Sequence, residues 1–217
     1  MLTITDLFDL NHTIAADYLS RFTYPWEALA GIQDFILSVG PTLEDYDEVA
    51  PHVWVHKTAT VAPTAYLGGP CIIGPETEVR HCAFIRGSAL VGAGCVVGNS
   101  VELKNVILFD GVQTPHYNYV GDSILGYKSH MGAGSITSNV KSDKLPVVVR
   151  CGDERIDTGR KKVGAMLGDF VEVGCNSVLN PGTVIGPHSI IYPTSCVRGV
   201  LSERSIYKND GTVLPRK

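Results

Sequence analysis

Residues 71–103 read CIIGPETEVRHCAFIRGSALVGAGCVVGNSVEL, and an apolar residue returns in this stretch at every sixth position. The spacing extends to both sides as an unbroken apolar series: Val61, Leu67, Ile73, Val79, Ile85, Val91, Val97, Leu103 and Phe109. A period of six is a multiple of the two-residue repeat of an extended strand, so these side chains point to one face. A chain that turns every six residues with one aliphatic side chain inward is a hexapeptide β-solenoid.

A second block keeps the same period, with the apolar series Leu167, Val173, Leu179, Ile185, Ile191 and Val197. A β-sandwich of short strands is the alternative, but it needs no strict six-residue register. Residues 1–50 lack the period and contain helix-like stretches, and residues 110–166 break it between the two blocks. We therefore expect a helical cap at 1–50, a solenoid at 51–200 with an irregular insertion at 110–166, and a C-terminal tail at 201–217.

The composition excludes several classes of protein. Charged residues make up 18% of the 217 residues, 23 are glycine, and the formal net charge is −4. This balance offers no broad basic surface for nucleic acid. No apolar run approaches the ~20 residues that cross a bilayer, and the opening MLTITDLFDL lacks the features of a secretory signal. We therefore expect a cytoplasmic protein, not bound to membranes, whose six cysteines are reduced.

Two motifs lie inside the interrupted region. Residues 116–122 read HYNYVGD and residues 132–139 read GAGSITSN. Over about residues 50–200 the chain resembles the acetyltransferase domain of bifunctional glucosamine-1-phosphate acetyltransferase/N-acetylglucosamine-1-phosphate uridylyltransferases. Residues 158–165, TGRKKVGA, are more similar to archaeal-type relatives, which acetylate glucosamine-1-phosphate or galactosamine-1-phosphate. The resemblance implies an all-β fold, a left-handed parallel β-helix of hexapeptide repeats with a small N-terminal helical region.

The resemblance also implies roles for individual residues. His116 is similar to the general base that takes a proton from the sugar amine. Without the resemblance, a single histidine beside a proline is more often a surface residue. Glu102 matches a carboxylate that orients the histidine, and Asn139 matches a residue that contacts the reacting amine. The residues matched to the sugar and its phosphate are Arg86, Lys104, Tyr119, His130 and Lys144.

Two of these matches have support from spacing alone. Arg86 and Lys104 are eighteen residues apart, which is three hexads, so their side chains should stack on one face one coil apart. Two cations at that separation repel one another unless an anion lies between them, and a sugar-1-phosphate would supply it. Exposed charges on an outer face are the simpler alternative.

The implied acyl donor is acetyl-CoA. The residues matched to its groove are Ala133, Cys175 and Tyr192, where backbone amides can bind the thioester oxygen. Cys175 replaces a family serine and receives no nucleophilic role, because direct transfer from thioester to amine needs no acyl-enzyme. Lys161 and Lys162 could hold the phosphates of the coenzyme, although a short basic cluster is also typical of a solvated loop. Acetyl transfer of this kind requires no metal.

Three functions remain open at this stage. The first is an acetyl-CoA-dependent N-acetyltransferase for glucosamine-1-phosphate or galactosamine-1-phosphate in nucleotide-sugar biosynthesis, working as a homotrimer with shared sites. The second is a non-catalytic or regulatory subunit of a separate sugar-1-phosphate nucleotidylyltransferase, since the sequence has no G-x-G-T-R-type loop of its own. The third is a zinc enzyme on the same solenoid, although the histidines form no obvious three-residue zinc set.

Overall fold

The computed structural model describes residues 1–216, so Lys217, at the end of the predicted tail, lies outside the described residues. The helices all lie in the first 42 residues. The α-helices are α1 (Ile4–Leu7), α2 (Ala16–Leu19) and α3 (Ile32–Val39), and the 3₁₀-helices are Leu10–His12, Pro25–Ala30 and Gly40–Thr42. We call this segment, residues 1–42, the helical cap. None of its helices reaches the length and hydropathy of a membrane-spanning segment.

Short strands make up the rest of the described chain. In order they are β1 (Tyr46–Ala50), β2 (Val53–His56), β3 (Thr60–Val61), β4 (Tyr66–Leu67), β5 (Cys71–Ile73), β6 (Glu78–Val79), β7 (Phe84–Ile85), β8 (Ala89–Val91), β9 (Val96–Asn99), β10 (Glu102–Leu108), β11 (Gln113–His116), β12 (Tyr119–Leu125), β13 (His130–Met131), β14 (Ile136–Thr137), β15 (Val148–Cys151), β16 (Glu154–Asp157), β17 (Ala165–Leu167), β18 (Glu172–Val173), β19 (Val178–Leu179), β20 (Thr183–Ile185), β21 (Ile190–Ile191), β22 (Cys196–Val197), β23 (Val200–Leu201), β24 (Ser205–Tyr207) and β25 (Val213–Pro215).

Successive strands turn through the three faces of a prism, and strands of one face pair in parallel from coil to coil. The first face contains β2, β5, β8, β17, β20, β23 and the second halves of β10 and β12. The second face contains β3, β6, β9, β11, β13, β18, β21 and β24. The third face contains β4, β7, β14, β19, β22 and the first halves of β10 and β12. The predicted all-β, left-handed parallel β-helix with a small N-terminal helical region is confirmed.

The length of a coil changes along the prism. Cys71 pairs with Ala89, so the early coils have eighteen residues. Leu108 pairs with Val91, so the next coil has seventeen. The prediction that Phe109 continues the inward series is therefore wrong, because Leu108 occupies that position. Phe109 is instead buried one position later, with its ring centroid 5.0 Å from that of Phe8 in the helical cap.

The interruption of the solenoid is shorter than the predicted insertion at 110–166. Strands β11 to β14 pair with their neighbours on the second and third faces, so residues 113–137 continue the prism. Two coils of seventeen residues shift the six-residue register without breaking the coil. The chain leaves the prism only at residues 140–162, which we call the excursion. It contains the antiparallel hairpin β15–β16, and the Val163 N–H donates to the Asn139 carbonyl at 3.0 Å where it closes.

The first face is apolar on both sides because other segments cover its outer surface. Leu90, Ile107 and Ile124, the middle residues of three of its strands, are fully buried. Helix α3 packs on β8 and β10, and the 3₁₀-helix Pro25–Ala30 packs on β12. Further along, the excursion covers the same face with the buried side chains of Val147 and Val149. The helical cap thus lies along the side of the prism, against strands of several coils.

The two ends of the prism are closed by antiparallel strands. Strand β1 pairs with β2 at the first coil, and β25 folds back onto β24 at the last. The cap is held to the side of the prism by Asp169, whose carboxylate accepts backbone N–H donors of Asp9 and Tyr127, each at 2.7 Å. Burial raises the pKa of Asp169, and the two donors oppose that shift. These contacts leave the second and third faces uncovered.

Candidate active site

The third face carries most of the residues that the motifs singled out. His116 ends β11 at the corner between the second and third faces, and Tyr119 begins β12 on the third face. Asp122 lies at the opposite corner, next to the first face, in the left-handed region with φ of 48°. One segment of seven residues therefore crosses the whole face, from an imidazole at one edge to a carboxylate at the other.

Asp122 is the centre of a polar network at that corner. Its side chain is 3% exposed and lies 3.2 Å from Lys104 Nζ. Asn105 Nδ2 donates to Oδ1 at 2.9 Å, and Asn139 Nδ2 donates to Oδ2 at 2.6 Å. A carboxylate only accepts hydrogen bonds, so each neighbouring amide must turn its NH₂ group toward it. Sequence reasoning quoted Asp122 within the motif and assigned it no role, although Asn105, Asp122 and Asn139 follow one another at the coil length of seventeen.

Tyr119 is tied to the same network. Asn139 Nδ2 also donates to the Tyr119 hydroxyl oxygen, at 3.1 Å. Burial raises the pKa of Tyr119, against the smaller opposing effect of the Asn139 hydrogen bond. The neutral hydroxyl keeps its own proton free to donate to a bound ligand, while the remaining amide oxygen of Asn139 is free to accept.

The two stacked cations each have a carboxylate partner. The register Leu103 to Ile85 places Lys104 beside Arg86, as the eighteen-residue spacing predicts. Arg86 Nη1 lies 2.7 Å from Glu102 Oε1, and Lys104 is paired with Asp122. Their mutual repulsion is thus relieved within the chain, and no anion between them is required. Glu102 was expected to orient His116, but its hydrogen bond goes to Arg86, and the structure forms no Glu102–His116 hydrogen bond.

One corner of the prism carries His116, Ala133 and Cys175 in successive coils, and we call these three residues the column. The His116 carbonyl accepts the Gly134 N–H at 3.0 Å, and the carbonyl of Ala133 accepts the Asn176 N–H at 2.8 Å, so Ala133 and Cys175 follow His116 down successive coils. The imidazole is exposed, and among residues 1–216 it has no hydrogen-bond partner. The N–H groups of Ala133 and Cys175 likewise donate to no acceptor in the described chain. The corner therefore aligns an imidazole and two backbone N–H groups, none of which has a hydrogen-bond partner in the described chain.

A shallow cavity of about 360 Å³ on the second face continues this column, and Cys175 and Tyr192 line it. His130 lines it too, with Nδ1 3.0 Å from Glu172 Oε2. His130 was expected beside the sugar, but the structure places it around the corner from Tyr119 and Asn139. Its position on β13, in register with Gln113 and Glu172, puts it on a different face.

The predicted lysines of the excursion lie in two different parts of the structure. Lys161 and Lys162, matched to the coenzyme phosphates, line a cavity of about 470 Å³ together with Lys104 and Asp122. That cavity is at the corner between the first and third faces, and Cys175 and Tyr192 do not line it. Lys144, predicted to bind the substrate, is exposed in a turn closed by its N–H, which donates to the Lys141 carbonyl at 3.0 Å. It lines neither cavity.

A family model, described as the GMPPB C-terminal domain, matches residues 69–192, more than half of the chain. The chain belongs to this family. "Bifunctional protein GlmU" of Methanococcus maripaludis is 31% identical over 205 residues, covering 92% of this chain and 50% of that protein. The "Bifunctional sugar-1-phosphate nucleotidylyltransferase/acetyltransferase" of Sulfurisphaera tokodaii is 37% identical over 94 residues, covering 43% of this chain and 23% of that protein. The match spans half the length of the first relative and about a quarter of the length of the second. The family resemblance inferred from the motifs is confirmed.

The GMPPB C-terminal domain match includes every candidate site residue from Arg86 to Tyr192, whereas the helical cap lies outside it. The cap contributes Leu29, Ala30 and Gln33 to the basic cavity. The site on the third face is thus built within the family's domain, and one wall of the neighbouring cavity comes from outside it. No group of three or more histidine, cysteine, aspartate or glutamate side chains in residues 1–216 is arranged to hold a metal ion.

Proposed function

We propose that the chain is an acetyl-CoA-dependent N-acetyltransferase that acts on an amino sugar carrying a phosphate at C1, such as glucosamine-1-phosphate or galactosamine-1-phosphate, in nucleotide-sugar biosynthesis. The observation that carries the proposal is the position of His116. It is an exposed base at the corner where the polar third face meets the column of free amides at Ala133 and Cys175. A base between an acceptor surface and a donor groove is the arrangement that acyl transfer to an amine requires.

The acceptor lies on the third face in this proposal. Tyr119 and Asn139 hold the sugar, and Lys104 and Arg86 receive its phosphate. Asp122 positions Asn139 and Lys104 through its hydrogen bonds. The amine then points toward His116, on the same coil as Tyr119. Both sugar-binding groups are fixed by contacts within the chain before the ligand arrives, which lowers the entropy cost of orienting it.

The acyl donor lies along the column on the other side of the corner. Tyr192 and Cys175 flank its pantetheine arm, and His130 lines the same groove. The Ala133 or Cys175 N–H stabilises the negative charge that develops on the thioester oxygen. His116 takes the proton from the amine as the nitrogen bonds to the acetyl carbon. It returns that proton to the sulfur as the carbon–sulfur bond breaks, so N-acetyl sugar and free coenzyme A leave with no acyl-enzyme.

We further propose that the active form is a homotrimer, because one prism supplies only a flat face on each side of His116, and a neighbouring prism would complete the cleft. The described residues contain a solenoid and its cap, so nucleotidyl transfer would need a separate domain or chain. Six free cysteines fit a reducing, cytoplasmic setting. Sedimentation of a fully active monomer would contradict the trimer.

The purified chain is assayed for coenzyme A release from acetyl-CoA with glucosamine-1-phosphate, galactosamine-1-phosphate and nucleotide-linked amino sugars. His116→Ala should lower kcat by about 10²–10⁴-fold, the usual contribution of a general base, without weakening coenzyme A binding. His81→Ala is the matched control, since His81 lies on the same corner two coils earlier and is also exposed. Full activity of His116→Ala would overturn the catalytic role. Acetylation of none of these sugars would overturn the function and favour a regulatory subunit.

A further inference from the structure

The cavity between the helical cap and the excursion concentrates positive charge. Lys104, Arg160, Lys161 and Lys162 line it, with Asp122 as the one carboxylate in its wall. The chain as a whole has a net charge of −4, so this cluster is a local departure from the overall balance. Clefts lined by one sign of charge focus the electric field on a ligand of the opposite sign.

Three of these cations have no carboxylate partner. Within residues 1–216, Lys104 is paired with Asp122, whereas Arg160, Lys161 and Lys162 form no ion pair. The Arg160 Nε atom is buried and has no acceptor in the described chain. A buried guanidinium nitrogen without an acceptor is costly, and an anion in the cavity would remove that cost.

Backbone contacts fix the segment of chain that carries these cations. The Arg160 carbonyl accepts the Val147 N–H at 2.7 Å, and Val140 and Lys162 form an antiparallel bridge at the base of the excursion. The cap contributes the exposed Ala30 and the polar Gln33 to the wall. The Leu29 side chain is buried, and its carbonyl accepts a hydrogen bond from Asn105 Nδ2 at 3.2 Å. A cluster of cations without carboxylate partners suits a ligand with several phosphoryl oxygens.

The position of the cavity relative to His116 indicates how long that ligand is. Asp122 lies six positions after His116 along one coil, at most about 20 Å of extended chain. A sugar between His116 and Asn139 brings its first phosphate to Lys104. Lys161 and Lys162 line the same cavity as Lys104, and that cavity extends to the cap. A single phosphate satisfied by Lys104 would leave these cations without a ligand.

We propose that this cavity binds the diphosphate of a nucleotide-linked amino sugar, so that the phosphate at C1 of the acetyl acceptor is the first of two. Arg160, Lys161 and Lys162 contact the second phosphate, and the nucleoside lies against the cap at Ala30 and Gln33. The proposal rests on the proposed N-acetyltransferase function and names its substrate class. It assigns Lys161 and Lys162 to the acceptor instead of to coenzyme A.

The test compares Lys161→Gln/Lys162→Gln with Arg150→Gln/Arg155→Gln, a matched pair of exposed charges that face one another in the same excursion. For the wild-type chain, KM for UDP-glucosamine or GDP-linked amino sugar should be at least about tenfold lower than for glucosamine-1-phosphate, as expected for added charge-assisted hydrogen bonds. The lysine variant should lose that advantage and keep its KM for glucosamine-1-phosphate. The arginine control should change neither constant. An equal rise of both KM values in the lysine variant would overturn the proposal.

Calorimetry with UDP and with GDP, in the absence of acetyl-CoA, gives a readout that does not depend on catalysis. The wild-type chain and the arginine control should bind at least one of them, and the lysine variant should bind at least about tenfold more weakly. Binding that is absent in the wild-type chain, or unchanged in the lysine variant, rejects the cavity assignment and leaves the proposed function standing. Binding through these lysines by a chain that acetylates no amino sugar rejects the function and retains the diphosphate site.

Discussion

Asn139 Nδ2 lies 2.6 Å from Asp122 Oδ2, although the two residues are seventeen positions apart in the chain. One coil of the prism has seventeen residues here, so the two side chains stack at one corner. The contact fixes the orientation of the Asn139 amide, because its NH₂ group must face the Asp122 carboxylate. Asp122 and Asn139 together connect the Lys104 ammonium group to the Tyr119 hydroxyl.

Replacing Asp122 should destabilise the fold as well as the site. Asp122→Ala leaves Lys104, Asn105 and Asn139 without their shared acceptor, and should lower the free energy of unfolding by about 2 kcal/mol. Asp122→Asn keeps one acceptor oxygen and should cost less. Asp143→Asn is the control, because its ion pair with Lys141 is exposed and should contribute under about 0.5 kcal/mol. Urea unfolding measures all three, and equal effects of Asp122→Ala and Asp143→Asn would contradict the network.

Removing the Tyr119 hydroxyl should affect the acceptor and leave the donor unchanged. Tyr119→Phe loses the oxygen that accepts from Asn139 and the proton offered to the sugar. We expect kcat/KM for the amino sugar to fall roughly 2–10-fold, the equivalent of one hydrogen bond, with an unchanged KM for acetyl-CoA. Tyr117→Phe is the control, since Tyr117 is 65% exposed. A fall in acetyl-CoA affinity, or the same loss in both variants, would place Tyr119 outside the acceptor site.

The cysteines should report where coenzyme A binds. Burial raises the pKa of Cys71 and Cys95 to about 12, so at pH 8 both remain neutral thiols and should react with iodoacetamide only after unfolding. Cys175 and Cys82 are exposed and should react in the native protein. Saturating coenzyme A should slow labelling of Cys175 by roughly tenfold or more, because a covered thiolate cannot attack, and should leave Cys82 unchanged. Mass spectrometry of the labelled peptides measures the labelling rate at each cysteine. If coenzyme A protected Cys82 and not Cys175, the donor groove could not be the one lined by Cys175.

The close approach of coils at Gly98 should tolerate no side chain. A Cβ at this position would overlap the Pro115 carbonyl of the next coil, one residue before His116. Gly98→Ala should therefore destabilise the protein by about 3 kcal/mol or more. Gly152→Ala, in the hairpin turn with φ of 57° and open space around it, should cost only about 1–2 kcal/mol from its backbone conformation. Thermal unfolding compares the two, and equal losses would mean that the coils can move apart at Gly98.

Much of the fold can be predicted from short stretches of the sequence. The series from Ile73 to Leu103 and the series from Leu167 to Val197 predict inward residues that the structure buries, because a period of six needs only neighbouring residues to show itself. Phe109 is the exception, because the six-residue period predicts it inward whereas Leu108 takes that position. One coil is a residue shorter there, and a helical cap from the far end of the chain covers the displaced ring. No local period contains that information.

The site divides in the same way. The sequence by itself predicted His116, Tyr119 and Asn139 as candidate site residues through a family resemblance. It determined the register that stacks Arg86 beside Lys104. Only the tertiary structure decided which side chains meet. Glu102 pairs with Arg86, and His130 lies on another face, beside Glu172. Asp122 binds three side chains, and Lys161 lines the cavity of Lys104, not that of Cys175. The physical reason is that a side chain's partners in a solenoid come from the coils on either side. Coil lengths of seventeen or eighteen residues and the path of the excursion therefore set which charges meet, and neither follows from the residues around any one motif.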